Sequence, residues 1–248
     1  MPVINRFPTT DESGAAPPPT DDLLDQIFDG LRQKASAKQA IWRNAQATFN
    51  ELREVSQAVV GELARRLSPV DGNVVIELKS VSDFEFHIRF SGDLLIFLLH
   101  SNIVTFPDDY PLLQSEYVAE DFRRRFFGHI MAYNFMADAL RYARMQDTGY
   151  LIGRLLVNIE QKLFLEGAQE LNMPLAERVA LQPLEPDTTT LRAFVESAMI
   201  AAVNNDLLAP DLDAIRQLTV KQKLENQQLN APPRKVGFTF GVSGSGVR

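Results

Sequence analysis

The segment from residue 84 to residue 90 alternates strictly between apolar and polar side chains, and it constrains the fold more than any other part of the sequence. The even positions are Phe or Ile, and the odd positions are Glu85, His87 and Arg89. Because successive side chains of a strand point to opposite faces of a sheet, this pattern predicts a strand that is buried on one face only. The apolar face then requires a covering layer from elsewhere in the chain.

Two further strands are predicted beside this one. Residues 74–81 lead into it through a short Ser-Asp connection, which predicts a hairpin, and Ser91-Gly92-Asp93 forms the next tight turn. The run that follows, Leu94 to Phe106, is apolar on both faces as far as Leu99 and is typical of a central strand. Three strands joined by such short turns predict an antiparallel meander.

The first of these strands contains Glu77-Leu78-Lys79, the E-x-K spacing found on the metal-binding strand of many DNA-cleaving enzymes. A nuclease site would need a second carboxylate to share the ion with Glu77, and Asp71 in the preceding turn is the only nearby candidate. Alternatively, Glu77 and Lys79 point to the polar face and pair with the charged side chains of the next strand. This charged ladder needs no metal ion, so we favour it and keep a metal-dependent nuclease as a weaker alternative.

Residues 37–67 form the most regular helical pattern in the chain. Apolar side chains recur at intervals of three or four, among them Ile41, Phe49, Leu52 and Val59. A helix of this length is about 45 Å long at 1.5 Å per residue, which is more than a compact domain usually needs. These four side chains could therefore lie in an interface with a neighbouring subunit, or the stripe could lie across the chain's own sheet.

A shorter apolar stripe precedes this helix and includes Leu24, Ile27 and Leu31. Asp21 or Asp22 can cap its first turn, because a carboxylate accepts hydrogen bonds from the free backbone N–H groups there. Gly30 and Ser36 are positions where the helix can break. We therefore predict helical structure from residue 21 to residue 67, preceded by a disordered leader over residues 1–20.

The segment from Phe127 to Arg144 fits two structures. Its Ala, Met and Leu content favours a helix, whereas GHIMAYNF also alternates as a strand would. Asp147-Thr148-Gly149 follows, and then a Leu/Val/Ile-rich run from Tyr150 to Ile159. Because Asp-x-Gly between two such runs is typical of a hairpin loop, we favour a long hairpin and keep the helix as the alternative. A short strand from Lys162 to Leu165 is predicted after it.

Three pieces of this region resemble a group of uncharacterised bacterial proteins. They are G-x-I-x-x-Y-N-F-x-A-D from Gly128, D-x-G-Y-L-I-x-R from Asp147, and Glu166-Gly167. The similarity extends mainly over residues 128–171. That group has no assigned activity, so the resemblance implies a coherent domain and no particular chemistry.

The last third of the sequence is predicted to be helical. Asp187 or Thr188 can cap a helix that runs to about Asn205, and a second helix follows, so that residues 187–229 cover one face of the sheet. Residues 231–248 form a flexible basic tail, in which Phe238 and Phe240 alternate and could add a strand to a partner's sheet edge. The predicted fold is a single α+β domain over residues 21–230. It has a long N-terminal helix, an antiparallel sheet of five or six strands within residues 73–166, and C-terminal helices.

Composition excludes several classes of site. The chain has no cysteine, so disulfides, thiolate metal sites and cysteine nucleophiles are ruled out. The net charge is −7, and the first 30 residues alone contribute −5, with six acids against one arginine. A nearly neutral body with an acidic front lacks the positive field that nucleic-acid binding requires.

Polar residues that interrupt apolar segments are the candidate ligand-binding groups. His100 and Asn102 follow the most apolar strand, while the 127–160 hairpin and its turn carry Asn134, Asp138, Arg144, Arg154 and Glu160. If Asp138, Arg144 and Arg154 face one another across the hairpin, they could bind an anion or a sugar-like ligand. The alternatives are a solvated network of ion pairs and, for His100, the point where the strand leaves the core.

These patterns lead us to expect a non-enzymatic interaction or assembly protein that associates with itself through its N-terminal helix. The alternative is an enzyme that handles small molecules or nucleotides at the hairpin's polar residues. We predict neither a cofactor nor a metal ion, a cytoplasmic location, and no membrane or nucleic-acid partner. The predicted partner is a second copy of the chain or another protein.

Overall fold

A computed structural model describes residues 23–71, 73–145, 147–167 and 182–204, together with residue 220. Several predictions fall outside these residues: the leader, the cap at Asp21 or Asp22, most of the second C-terminal helix, and the tail with Phe238 and Phe240. Within the described part, the α+β prediction is confirmed. None of the described helices is both long enough and apolar enough to cross a membrane.

The N-terminal helical region is continuous from Leu23 to Leu67. It consists of α1 (Leu23–Gly30), a single π-helical turn (Leu31–Ala35) and α2 (Ser36–Leu67). The predicted weak points, Gly30 and Ser36, flank the π turn. The helix therefore does not break there but is wound more loosely, an arrangement that is often found at functional sites.

Six strands form one antiparallel sheet whose spatial order is the order along the chain. Each strand pairs with the next through a short connection, except that 28 residues separate the third strand from the fourth. The strands are β1 (Ile76–Ser82), β2 (Glu85–Phe90), β3 (Asp93–Leu99), β4 (Gly128–Met136), β5 (Tyr150–Val157) and β6 (Leu163–Glu166).

Two predictions differ from the structure, at the end of the third strand and at Phe84. The third strand ends at Leu99, because the polar His100-Ser101-Asn102 leaves the sheet, and the later Val104 forms only an isolated bridge with Phe127. Phe84 lies in the β1–β2 turn and is exposed rather than on the buried face. The hairpin over residues 128–157 is confirmed, and helix is confined to α4 (Ala137–Arg141) at the end of β4.

The remaining described elements cover the two faces of the sheet. Beyond β3 the chain forms a 3-10 turn (Pro111–Gln114), α3 (Glu116–Glu120) and a second 3-10 turn (Phe122–Arg125). After β6 comes α5 (Thr188–Val203), whose first turn is capped because Asp187 Oδ1 accepts a hydrogen bond from the backbone N–H of Thr190. This confirms the predicted cap.

The main core lies between one face of the sheet and the helices α2 and α5. A smaller core on the other face joins β5 and β6 to the 104–127 segment, through Leu112, Phe127, Leu156 and Phe164. The proposed interface residues Ile41, Phe49, Leu52 and Val59 are all buried in the main core or beside it. Their stripe therefore lies across the chain's own sheet, and these four side chains do not offer a surface to a partner.

Close packing of α2 on β4 leads to a matched pair of stability predictions. A Cβ atom at Gly128 would lie 2.6 Å from the Cβ of Ala45, whereas one at Gly61 would meet no atom within 4 Å. Gly128→Ala should lower the free energy of unfolding by about 1–3 kcal/mol through overpacking. Gly61→Ala, in the helix, should raise it by about 1 kcal/mol. Urea denaturation measures both, and equal effects of the two substitutions would contradict this packing.

Candidate functional site

The charged side chains of β1 and β2 form the predicted ladder on the polar face of the sheet. Glu77 lies opposite Arg89, and Lys79 lies opposite His87. The Arg89 Nη1 atom is 3.6 Å from Glu77 Oε1, and His87 Nε2 is 2.6 Å from Glu85 Oε1. The ladder thus contains one cross-strand ion pair and one pair within β2.

A pocket of about 300 Å³ opens over this ladder, where α4 folds back onto the sheet. Its lining includes the cations Lys79, Arg89 and Arg141, with Glu77 as the single carboxylate. Lys79 and Arg141 form no ion pair with another described residue, and the buried Nε of Arg89 has no hydrogen-bond partner among them. An excess of cationic donors suits an anion better than a metal ion.

The structure gives the nuclease alternative no additional ligand. Asp71 accepts hydrogen bonds from the backbone and side chain of Asn73 at the turn, and it does not line this pocket. In the part of the chain that the structure describes, no three His, Asp or Glu side chains are grouped so that they could hold a metal ion.

His100 meets a second histidine that the sequence analysis did not connect with it. The rings of His100 and His129 stand edge to face with their centroids 4.4 Å apart, and His100 Nδ1 accepts a hydrogen bond from the backbone N–H of Asn102. His129 is only 8% exposed, and neither of its ring nitrogens has a partner among the described residues. Burial, reinforced by His100 and Arg154, lowers the pKa of His129 to about 4, so its imidazole is neutral at pH 7.

Arg154 belongs to a network on the same face of the sheet. Its guanidinium donates a hydrogen bond to Glu166 on β6, and Tyr110 donates to the same carboxylate. The guanidinium also lies 5.1 Å from the ring centre of Phe106. Desolvation, followed by the hydrogen bond to Glu166, raises the pKa of Tyr110. These contacts fix the position of the Arg154 side chain. The spacing of Glu166 and Tyr110 along the sequence did not predict that they belong to the same network.

Glu160 lies in the β5–β6 turn and holds α3 against it. Tyr117 donates a hydrogen bond of 2.7 Å to Glu160, and Arg124 donates one of 2.9 Å. Desolvation and the hydrogen bond to Glu160 raise the pKa of Tyr117 to about 12. The buried Asn158 completes this cluster by donating to the Tyr117 hydroxyl. These contacts all fasten one element to another, which is a structural role.

Asp138, Arg144 and Arg154 are not paired with one another across the hairpin. Arg154 pairs with Met131 in the middle of the hairpin, whereas Asp138 lies in α4 beyond the end of β4. Arg144 is buried beside Asp147, at 3.5 Å, and Asn134 Nδ2 lies 3.4 Å from Asp93. The predicted polar residues therefore do not form one group, because β4 ends at Met136 and Asp138 lies on α4 rather than on the strand.

The first turns of the N-terminal helix expose apolar side chains. Leu23, Ile27, Phe28 and Leu31 are between 57% and 72% exposed, whereas Ile41 on α2 is completely buried. The sheet covers only the later part of the helix. The apolar stripe of α1 therefore extends beyond the chain's own core, as α1 carries no buried residue.

A second cleft, of about 610 Å³, lies at the base of α1. One wall is the helix from Arg32 to Ala40, and the other contains Phe122, Arg123 and Phe126. The Nζ atoms of Lys34 and Lys38 each lie 6.0 Å from the centre of the Phe126 ring. The sequence analysis missed this cleft because its walls are more than 80 residues apart along the chain.

Comparison of the chain with family models, with curated proteins and with solved structures finds no match. The functional argument therefore depends on the geometry of these sites.

The buried, neutral His129 predicts a pH dependence of stability. Its pKa is 6.5 as a reference value and about 4 in the fold, so between these values the unfolded chain binds more protons. The free energy of unfolding should therefore be highest above pH 6.5 and should fall as the pH approaches 4, with at most about 3 kcal/mol from this group. Urea denaturation between pH 7.5 and 4.5 measures this loss.

His129→Gln should reduce that pH dependence, whereas the control His87→Gln, on the polar face of β2, should leave it in place. If both variants follow the wild-type profile, His129 is not the group responsible.

Proposed function

We propose that this protein is a non-enzymatic assembly protein that associates with itself through its N-terminal helix. The observation that supports this most directly is the exposed apolar stripe at the start of the N-terminal helix, with Leu23, Ile27 and Phe28 on α1 and Leu31 on the π turn. These side chains lie beyond the part of the helix that the sheet covers, so a partner that covers them would remove apolar surface from water. The absence of cysteine agrees with action in a reducing compartment such as the cytoplasm.

The stripe is large enough to contribute to association. Full burial of a Leu, Ile or Phe side chain contributes about 1.5–3 kcal/mol, and each of these is already partly covered, so about 1–2 kcal/mol per side chain is a reasonable expectation. In a symmetric dimer each contact occurs twice. Four such side chains on each copy would therefore offset the cost of bringing two molecules together.

Ile27→Ser combined with Phe28→Ser should raise the dissociation constant of the assembly by at least roughly 1,000-fold, because two apolar contacts per copy, and so four per dimer, are lost at about 1–2 kcal/mol each. Size-exclusion chromatography with light scattering, at concentrations from one to a hundred micromolar, measures this.

The matched control is Ile200→Ser with Val203→Ser, which removes two exposed apolar side chains from α5 instead. We expect the control to associate like the wild type. A wild-type chain that is monomeric at tens of micromolar, and unchanged by deletion of residues 1–36, would contradict the proposal.

We propose a second candidate function, the binding of a small phosphate-containing ligand, at the pocket above the ladder. The supporting observation is Arg89, whose Nε has no hydrogen-bond partner among the described residues although its Nη1 pairs with Glu77, together with Lys79 and Arg141 around one opening. Guanidinium groups match the geometry of phosphate oxygens, and charge-assisted hydrogen bonds of this kind contribute about 1.5–3 kcal/mol each. The small-molecule alternative thereby moves from the hairpin residues to this pocket.

Arg89→Gln should weaken the binding of inorganic phosphate or pyrophosphate by at least about 10-fold, since it removes one charge-assisted contact. Isothermal titration calorimetry on the full chain measures this, with Arg43→Gln, a variant of an exposed arginine on α2, as the control. Equal affinities of the two variants, or no heat from the wild type, would exclude the pocket as an anion site.

A further inference from the structure

We infer that the cleft between residues 32–40 and the Phe122–Phe126 segment is the docking site for α1 of a second copy of this chain. This inference deepens the proposed self-association and rests on it. In the resulting dimer, α1 of each molecule lies in the cleft of the other.

The same chain cannot fill its own cleft with α1. α1 continues into α2 through a π turn without interruption, and the cleft wall begins at Arg32, only two residues after α1 ends. A continuous helix cannot fold back beside its own next turn, because that would break the backbone hydrogen bonds between them. An α1 helix that enters this cleft must therefore come from another molecule.

The cleft and α1 match in their apolar surfaces. Phe122 and Phe126 form one wall, with their rings 5.6 Å apart and nearly perpendicular. The opposite wall contains the small residues Ser36, Ala37 and Ala40, which follow the longer Arg32, Gln33 and Lys34 along the helix. Small residues opposite a bulky Ile27 or Phe28 let two helices approach closely, and the aromatic wall offers the type of contact that is enriched in interface cores.

The two surfaces also match in charge. α1 carries Asp25 and Asp29 and no basic residue; Asp29 forms an exposed ion pair with Arg32, whereas Asp25 forms none with a described residue. At the cleft, Arg123 is neutralised by Asp121, but Lys34 and Lys38 form no ion pair with any other described residue, and both ammonium groups lie beside the Phe126 ring. Attraction between the aspartates of one copy and the lysines of the other would orient the incoming helix.

The dimensions are compatible with this exchange. Eight residues of helix are about 12 Å long, and residues 33–40 of the receiving helix have the same length. A helix about 10–12 Å across and about 12 Å long occupies roughly 1,000 Å³, so the cleft of about 610 Å³ accommodates the apolar face of α1 and not the whole helix. Since each molecule presents one α1 and one cleft, mutual insertion gives a closed dimer with two equal contacts.

A charge exchange on the full chain tests this inference. One variant, Lys34→Glu with Lys38→Glu, makes the cleft acidic, and the other, Asp25→Lys with Asp29→Lys, makes α1 basic. In a dimer of either variant alone, α1 and the cleft that receives it carry the same charge, so each variant should associate at least about 10-fold more weakly than the wild type at low salt. In a dimer of one variant with the other, α1 and the receiving cleft carry opposite charges in both contacts, so an equal mixture should form a heterodimer. Light scattering and sedimentation velocity measure association, and circular dichroism checks that each variant is folded.

Three comparisons separate the possible outcomes. Arg43→Glu with Arg65→Glu changes the net charge by the same amount on the same helical region outside the cleft, so it should associate like the wild type. Deletion of residues 1–22 should leave association intact. If the wild type is monomeric, self-association fails and this inference with it.

If the wild type associates and requires Ile27 and Phe28, but the charge variants behave like the wild type, only the assignment of the cleft is overturned. Failure of the mixed variants to associate would show that α1 is not the occupant. Loss of association on deleting residues 1–22 would make that segment the occupant instead, which likewise overturns the inference.

Discussion

A stack of four phenylalanine rings holds the two layers of this protein together. Phe49 of α2 lies 5.3 Å from Phe86 of β2, Phe86 lies 4.7 Å from Phe97 of β3, and Phe97 lies 6.1 Å from Phe194 of α5. All four side chains are fully buried. Aromatic pairs at these distances stabilise a core beyond the area they bury, and here they connect both long helices to the centre of the sheet.

Because the helices cover one face of the sheet, the other face is only partly covered. The 104–127 segment closes it over β5 and β6, and α4 reaches it near β1 and β2. The polar side chains between the 104–127 segment and α4 remain accessible to solvent. The charged ladder and its pocket therefore lie on this part of the sheet. His129 is the exception, since it is buried on this face without a partner among the described residues. Its neutrality at pH 7 is the consequence of that position.

The length of the N-terminal helix exceeds what the sheet can cover. Six strands about 4.8 Å apart give a sheet roughly 24 Å wide, whereas about 45 residues of helix are roughly 68 Å long. The sheet therefore buries Ile41 and Phe49 but leaves Ile27 and Phe28 exposed. The change from core to surface occurs near the π turn, where the cleft also begins. Self-association and its docking surface are both proposed from this mismatch between helix and sheet.

The sequence by itself determined the type of most helices and strands and the buried face of several of them. The alternation from Phe86 to Phe90 fixed the buried face of β2, the stripe from Ile41 to Val59 fixed the buried face of α2, and Asp187 marked the start of α5, because each pattern depends only on local backbone geometry. Tertiary structure decided which distant groups meet. Spacing along the chain does not predict contacts that form only when sheet, helix and loop pack together. Examples are His100 with His129, Arg154 with Glu166 and Tyr110, and Lys34 with Phe126. The same holds for the division of the apolar stripe into a buried and an exposed part: the periodicity is the same on both sides of the π turn, and only the extent of the sheet decides where burial ends.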